Sequence, residues 1–127
     1  MMNDFLKKVN AQVNTTIAVD FDGVIHKNSK GFHDGTVYDE PLEGSIEALK
    51  NLSKEYTLVI FTCKANSQRP LINGKTGIEL IWEWLVKYNI AEYISEVTDI
   101  KPRAKFYIDD KGIKFENWEQ TLNDMKG

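Results

Sequence analysis

The chain has 127 residues, and its 16 lysines and arginines against 19 aspartates and glutamates give a formal charge of −3 at pH 7. This length predicts one domain over residues 1–127, and its 42% hydrophobic and 28% charged content argues against disorder. No apolar run is long enough for a membrane span, the N-terminal residues lack the pattern of a secretory signal, and the single cysteine excludes an internal disulfide. The acidic balance argues against general nucleic-acid binding. We therefore expect a cytoplasmic protein without a membrane partner.

The first third of the chain predicts a helix, a strand and a loop before a second helix. Apolar residues at four-residue spacing predict an amphipathic helix over residues 1–14. The run IAV at residues 17–19 predicts a buried strand that ends in acidic residues and a glycine. Residues 24–40 contain an Asp-Gly pair and predict a hairpin or flap. Pro41 is expected to open the next helix, because proline is tolerated in a first helical turn.

The rest of the chain alternates apolar strands with helical spacing. The run LVIF at residues 58–61 predicts a second buried strand, and residues 64–76 form a polar loop. Apolar spacing predicts a long helix over residues 77–88, and residues 93–97 and 106–108 predict two short strands before a C-terminal helix. This order predicts an α/β domain: a three-layer sandwich around a mainly parallel, Rossmann-like sheet.

Polar residues follow three of the predicted strands, namely Asp20, Thr62 and Asp109. Ligands of parallel sheets bind beyond the carboxyl ends of the strands, so these side chains are expected at one edge. Asp20 and Asp22 are two residues apart and would point the same way, where a shared Mg²⁺ would relieve their repulsion. Gly23 allows a sharp turn, through which a phosphate could approach main-chain N–H groups.

Further charged residues are expected near the same edge. Asp110 adjoins Asp109 at the end of the last strand, and Lys101 could balance the negative charge, with Lys105 as the alternative. Carboxylates, a hydroxyl, a lysine and a cation site together suit phosphoryl transfer, in which the protein mainly positions groups and neutralises oxygens.

The segment after the second strand could contact the substrate. Lys64 and Arg69 could hold a polyanionic group, although a solvated loop explains them about as well. Cys63 follows the strand-end threonine and is interpreted as a small buried residue beside the substrate position. His26 and His33 are interpreted as loop or flap residues, not metal ligands.

Four motifs in order give the chain its resemblance to a known family. They are IAVDFDGVI at residues 17–25, LVIFT at residues 58–62, the pair Lys101-Pro102, and FYIDD at residues 106–110. With these motifs the chain resembles a small phosphatase of the haloacid dehalogenase superfamily over roughly residues 15–120.

The resemblance implies a role for each matching residue. Asp20 would attack the phosphorus and form an aspartyl-phosphate, and Asp22 would protonate the leaving oxygen and then assist water. Thr62 and Lys101 would hold the phosphoryl oxygens. Because the dehalogenase branch of the superfamily lacks an acid at the Asp22 position, the resemblance favours phosphatase or phosphotransferase chemistry over dehalogenation.

The resemblance also implies a Mg²⁺ cofactor. The ion would contact the Asp20 carboxylate, the main-chain carbonyl of Asp22 and one acid of the final pair. Asp110 is favoured as the direct ligand, with Asp109 behind it. The chain has no room for a large cap domain, so the site is expected to be open.

An open site leaves several functions to distinguish. The substrate could be a phosphorylated small molecule, covered by a second copy in a homo-oligomer, or a nucleic-acid end. An end-processing phosphatase would use a basic groove, formed by Lys64, Arg69, Lys75 and Arg103. A non-catalytic phosphate- or metal-binding module is the alternative of another class. A receiver domain is less favoured, because it carries its acidic pair on the first strand.

Overall fold

A computed structural model describes residues 15–31, 33–109 and 117–126, and the helix predicted over residues 1–14 lies outside them. The described chain has an all-parallel sheet in the order β3-β2-β1-β4, together with three helices. The strands are β1 (Thr16–Val19), β2 (Thr57–Phe61), β3 (Glu96–Thr98) and β4 (Phe106–Ile108). The helices are α1 (Ser45–Ser53), α2 (Gly77–Lys87) and α3 (Trp118–Lys126). The prediction of an α/β domain with a parallel sheet is confirmed.

The main cluster of buried apolar residues lies on one face of the sheet. Alternate strand residues point to the same face, and the apolar runs place Ile17, Val19, Leu58 and Ile60 there. The helices cover this face with buried apolar side chains, which are Ala48, Leu49, Leu52, Ile81, Trp84, Leu85 and Trp118. No helix in the described ranges is long and apolar enough to cross a membrane.

The second face of the sheet carries the intervening row of Val59, Ala18 and Tyr107. The Tyr107 hydroxyl donates a hydrogen bond to the Pro102 carbonyl oxygen at 2.6 Å, which ties the connection between β3 and β4 to this face. That connection, residues 99–105, contains no helix. Within the described part of the chain, helices therefore cover only the first face of the sheet.

Helix α1 begins later than predicted, and the reason is tertiary. Pro41 was expected to open it, but the helix starts at Ser45, after Gly44 with a φ of 85°. The Leu42 N–H donates to the Ile25 carbonyl oxygen at 2.7 Å, which holds this segment against the loop after β1. The left-handed Gly44 then redirects the chain into the helix.

Helix α2 matches its predicted range because its end signals are local. Thr76 and Glu79 form a capping box at its start, and Asn89 adopts a φ of 59° just beyond its end. Its first residue, Gly77, packs so closely on the preceding loop that a Cβ there would lie 1.7 Å from the Lys64 carbonyl oxygen.

The described residues of the segment 24–40, predicted as a hairpin or flap, are irregular and make only isolated bridges at His26. Side chains bind the backbone within this segment: Asp34 accepts from the Thr36 N–H at 3.0 Å, and Tyr38 donates to the Gly31 carbonyl at 2.8 Å. Such local hydrogen bonds compete with strand pairing.

Candidate functional site

The carboxyl edge of the sheet brings three predicted site residues onto adjacent strands. Asp20 follows the central strand β1, while Thr62 follows β2 on one side and Asp109 follows β4 on the other. The Asp20 N–H donates to the Ile108 carbonyl at 3.2 Å, so pairing with β4 extends to the aspartate. The chain order changes direction between β1 and β4, and such switch points are where parallel sheets bind ligands.

The turn after β1 is built by main-chain hydrogen bonds. The Phe21 carbonyl oxygen accepts from three successive N–H groups, those of Val24, Ile25 and His26. Gly23 has a φ of 81°, and its N–H donates to the His26 carbonyl at 2.8 Å. Glycine is therefore needed here for the turn, and the N–H groups of residues 23–26 are used inside it.

Both carboxylate oxygens of Asp22 have partners within the protein. Oδ2 lies 2.6 Å from the Lys64 ammonium, and Oδ1 lies 2.8 Å from His26 Nδ1. Desolvation by burial opposes the ionised form, but the hydrogen bonds from His26 and Lys64 and the Lys64 charge outweigh it, so the pKa of Asp22 lies below the usual 3.8. Asp22 is a carboxylate at neutral pH, and we call this trio the Asp22 clamp.

His26 is fully buried, and its hydrogen bonds assign its tautomer. Nε2 accepts the Asp39 N–H at 3.0 Å, so the ring proton lies on Nδ1 and is donated to Asp22. The ring stacks on Phe21 at 5.5 Å between centroids, and Trp84 packs edge-on against it at 5.7 Å. Sequence reasoning missed this role because a four-residue spacing from Asp22 is too common to signal it.

Lys64 is also buried, so of its two interpretations, substrate contact and a solvated loop residue, the second is wrong. Its N–H donates to Thr62 Oγ1 at 3.3 Å, and Gly77 packs against its carbonyl group. The short 3-10 helix Cys63–Ala65 turns Lys64 inward and Cys63 outward. Cys63 is therefore exposed, and the prediction that it is buried is wrong.

Lys101 and Lys105, the two candidates to balance the acidic edge, lie at exposed positions around β4. The Lys101 ammonium is 4.6 Å from the centre of the Tyr107 ring, and the Lys105 ammonium is 5.6 Å from that of Phe106. Thus the lysine that contacts Asp22 comes from the segment after β2. Asp110, the favoured metal ligand, lies outside the described residues.

The expected basic groove is partly neutralised. Lys64 is bound to Asp22, and the Lys75 ammonium lies 2.6 Å from a carboxylate oxygen of Glu83. Arg69 is half-buried in the same loop, while Arg103 is exposed between β3 and β4. Two of the four residues predicted to form the basic groove are therefore already paired with carboxylates.

The oxygen donors at the edge suit a hard cation. Among described residues, no group of three or more His, Cys, Asp or Glu side chains is arranged to hold a metal ion. Asp20 and Asp109 nevertheless place carboxylates directly after adjacent strands, and Asp20 Oδ1 accepts the Phe21 N–H at 2.7 Å. The Asp22 carboxylate is engaged by His26 and Lys64, so the main-chain carbonyl of Asp22 would be its donor to an ion. This oxygen-only set is compatible with Mg²⁺, which retains water and binds few protein ligands.

Comparisons of the chain with models of protein families, with curated proteins and with solved structures give no match.

Proposed function

We propose that the protein is a Mg²⁺-dependent phosphate monoester hydrolase that works through an aspartyl-phosphate on Asp20. One observation carries this proposal: Asp20 and Asp22 follow the central strand, and Thr62 and Asp109 follow its two neighbours at the switch point. Together with the four ordered motifs, this arrangement supports a small, Rossmann-like member of the haloacid dehalogenase superfamily without a large cap.

The proposed reaction has two displacements. The Asp20 carboxylate attacks the phosphorus, the bond to the leaving oxygen breaks, and that oxygen takes a proton from Asp22. Asp22 is ionised in the unliganded protein, so in this proposal it takes up that proton from solvent when the substrate binds, because the negative charge of the bound phosphate opposes ionisation of the carboxyl. In the second step Asp22 accepts a proton from water, which attacks the aspartyl-phosphate and releases inorganic phosphate from Asp20.

The phosphoryl oxygens need donors and positive charge. Thr62 Oγ1 accepts the Lys64 N–H, which leaves the Thr62 hydroxyl proton to donate to a phosphoryl oxygen. Lys101 is the lysine that the motif implies, and it would leave the Tyr107 ring to reach the substrate. Mg²⁺, held by Asp20, the Asp22 carbonyl and one acid of the pair Asp109-Asp110, would neutralise charge on the phosphoryl group.

The ion pairs favour a phosphorylated small molecule over a nucleic-acid end. A polymer needs several lysines and arginines free to meet its phosphates. Two of the four groove residues already have carboxylate partners, and one of these, Lys64, is buried.

The proposal is tested by phosphate release from an aryl phosphate, with Mg²⁺ and with a chelator. Wild type and the matched control Asp124→Asn, at an exposed position in α3, should release phosphate only with Mg²⁺. Asp20→Asn should lose at least 100-fold in rate, because an amide is a poor nucleophile, while keeping its thermal unfolding midpoint. Activity retained by Asp20→Asn, or unaffected by chelation, would contradict the proposal.

A further inference from the structure

We propose that Lys64 and His26 are positioning residues, which hold the Asp22 carboxylate in one orientation for proton exchange with the leaving oxygen. The inference rests on the proposed hydrolase function, and it assigns the buried lysine to the reaction's acid–base group instead of to the substrate.

The contacts of Asp22 restrict its side chain from two directions. His26 comes from the turn after β1, while Lys64 comes from the segment after β2, 42 residues along the chain. Each binds a different carboxylate oxygen, so rotation of the carboxylate would break both hydrogen bonds. The Asp22 side chain remains 29% exposed, and each oxygen retains a lone pair for a group outside the clamp.

Both partners of Asp22 are themselves held in place. The Lys64 side chain is 6% exposed, and its backbone is fixed between the Thr62 hydroxyl and Gly77. The His26 ring is bound through Nε2 to the Asp39 N–H. A supporting shell of this kind keeps a reacting group within the narrow range of geometry that proton transfer needs.

Stability alone is a weak reason for this arrangement. Burying an ion pair removes two charges from water, and apolar residues of similar volume often serve the fold as well. The clamp instead holds an acid that lies two residues from the proposed nucleophile, and 29% of the Asp22 side chain remains exposed. This placement favours a role in the reaction.

Two substrates that differ in their leaving group distinguish a positioning role of Lys64 from a purely structural role. A p-nitrophenolate leaves readily without a proton, whereas an alkoxide needs one, so kcat/KM would be measured for p-nitrophenyl phosphate and 2-phenylethyl phosphate. Lys64→Met should lower kcat/KM at least tenfold more for the alkyl ester. Lys64→Arg, which keeps the charge, should recover most of the loss. The matched control Lys50→Met, exposed on α1, should change neither.

A double variant tests whether Lys64 acts through Asp22. In an Asp22→Asn background, Lys64→Met should have no further effect on the ratio of the two kcat/KM values. Equal losses on both esters, or an effect that persists in Asp22→Asn, would overturn the inference while leaving the hydrolase intact. A wild type inactive on both esters would overturn the hydrolase and the inference together. If Lys64→Met fails to fold, Lys64→Gln replaces it in each comparison.

Discussion

At the residue scale, the two members of the Asp22–Lys64 pair differ in their access to water. The Lys64 side chain is 6% exposed, whereas that of Asp22 is 29% exposed. Asp22→Ala leaves a buried ammonium without its partner and should cost roughly 2–3 kcal/mol of unfolding free energy, below the ~3–5 kcal/mol of a fully buried pair. Lys64→Met should cost less, because Asp22 keeps His26 and can be hydrated. Urea unfolding of both variants measures the difference.

The double variant Asp22→Ala/Lys64→Met is the control for this asymmetry. It removes the Lys64 ammonium that Asp22→Ala leaves buried without a partner, and it should recover part of the stability lost in that single variant. A larger loss in Lys64→Met than in Asp22→Ala would contradict the burial argument.

Asp39 makes a pH-dependent contribution to folding. Hydrogen bonds from Ser29 and from the Glu40 N–H lower its pKa from 3.8 to about 2. Because the folded pKa lies below the unfolded value, this contribution is complete above pH 3.8 and is lost as pH falls toward 2. The thermal midpoint of wild type should therefore fall through this window.

Asp39→Asn should show a shallower fall of the thermal midpoint over the same pH range, since its side chain does not ionise. The comparison is made against Asp124→Asn, whose profile should follow wild type. Parallel profiles for Asp39→Asn and wild type would exclude this residue as a source of the pH dependence.

Local sequence patterns identified some residues of the candidate site and missed others. Asp20, Thr62 and Asp109 each follow a short apolar run, a local pattern that also gives the strand end. Lys64 and His26 carry no such signal, because their roles depend on contacts between segments that the fold brings together. Exposure of Cys63 was mispredicted because the direction of a short 3-10 turn is not encoded in apolar spacing.

At the scale of the element, the start of α2 depends on a single glycine. A Cβ on Gly77 would lie 1.7 Å from the Lys64 carbonyl oxygen, which backbone cannot accommodate without moving. Gly77→Ala should therefore destabilise the fold by about 1–3 kcal/mol, an overpacking cost, although alanine favours a helix over glycine by ~1 kcal/mol. Chemical unfolding measures the change.

The matched control is Val86→Ala, since Val86 is exposed on the same helix. Its unfolding free energy should change by less than about 0.5 kcal/mol, as expected for a surface substitution. An unchanged or increased stability in Gly77→Ala would show that the close contact with Lys64 does not constrain the helix.

Helices α1 and α2 show where local signals locate the end of a helix and where they do not. The capping box at Thr76 and the left-handed Asn89 mark the ends of α2, and both are readable from residue type. The prediction that Pro41 opens α1 is wrong, because the Leu42 N–H is hydrogen-bonded to Ile25 in the loop after β1 and the helix begins only at Ser45. Contacts made across the fold override a local rule at that point.

At the scale of the whole molecule, the strand order 3-2-1-4 was not evident from the sequence. Alternation of strands and helices indicates a parallel sheet, but it does not say on which side of β1 the last strand lies. The residues after β3 return across the sheet without a helix, and they place β4 beside β1. That placement brings Asp109 next to Asp20 and creates the edge on which the proposed function depends.

The connection over residues 99–105 should therefore be needed to hold β4 in place. Tyr107 accepts the Ala104 N–H at 3.1 Å and donates to the Pro102 carbonyl at 2.6 Å, so Tyr107→Phe removes both hydrogen bonds. We expect a loss of about 1–3 kcal/mol, the cost of leaving such groups unpaired. Amide exchange should accelerate at Ala104 and in β4.

The control is Tyr93→Phe, because the Tyr93 hydroxyl has no hydrogen-bond partner among the described residues. Its exchange pattern should match that of wild type. If the tyrosine at position 107 acts only by packing, the phenylalanine variant will keep slow exchange at Ala104, and the connection must be held by other contacts. If the Tyr107 hydroxyl holds the connection, amide exchange in Tyr107→Phe will be faster along β4 as far as Asp109, because Asp109 directly follows this strand.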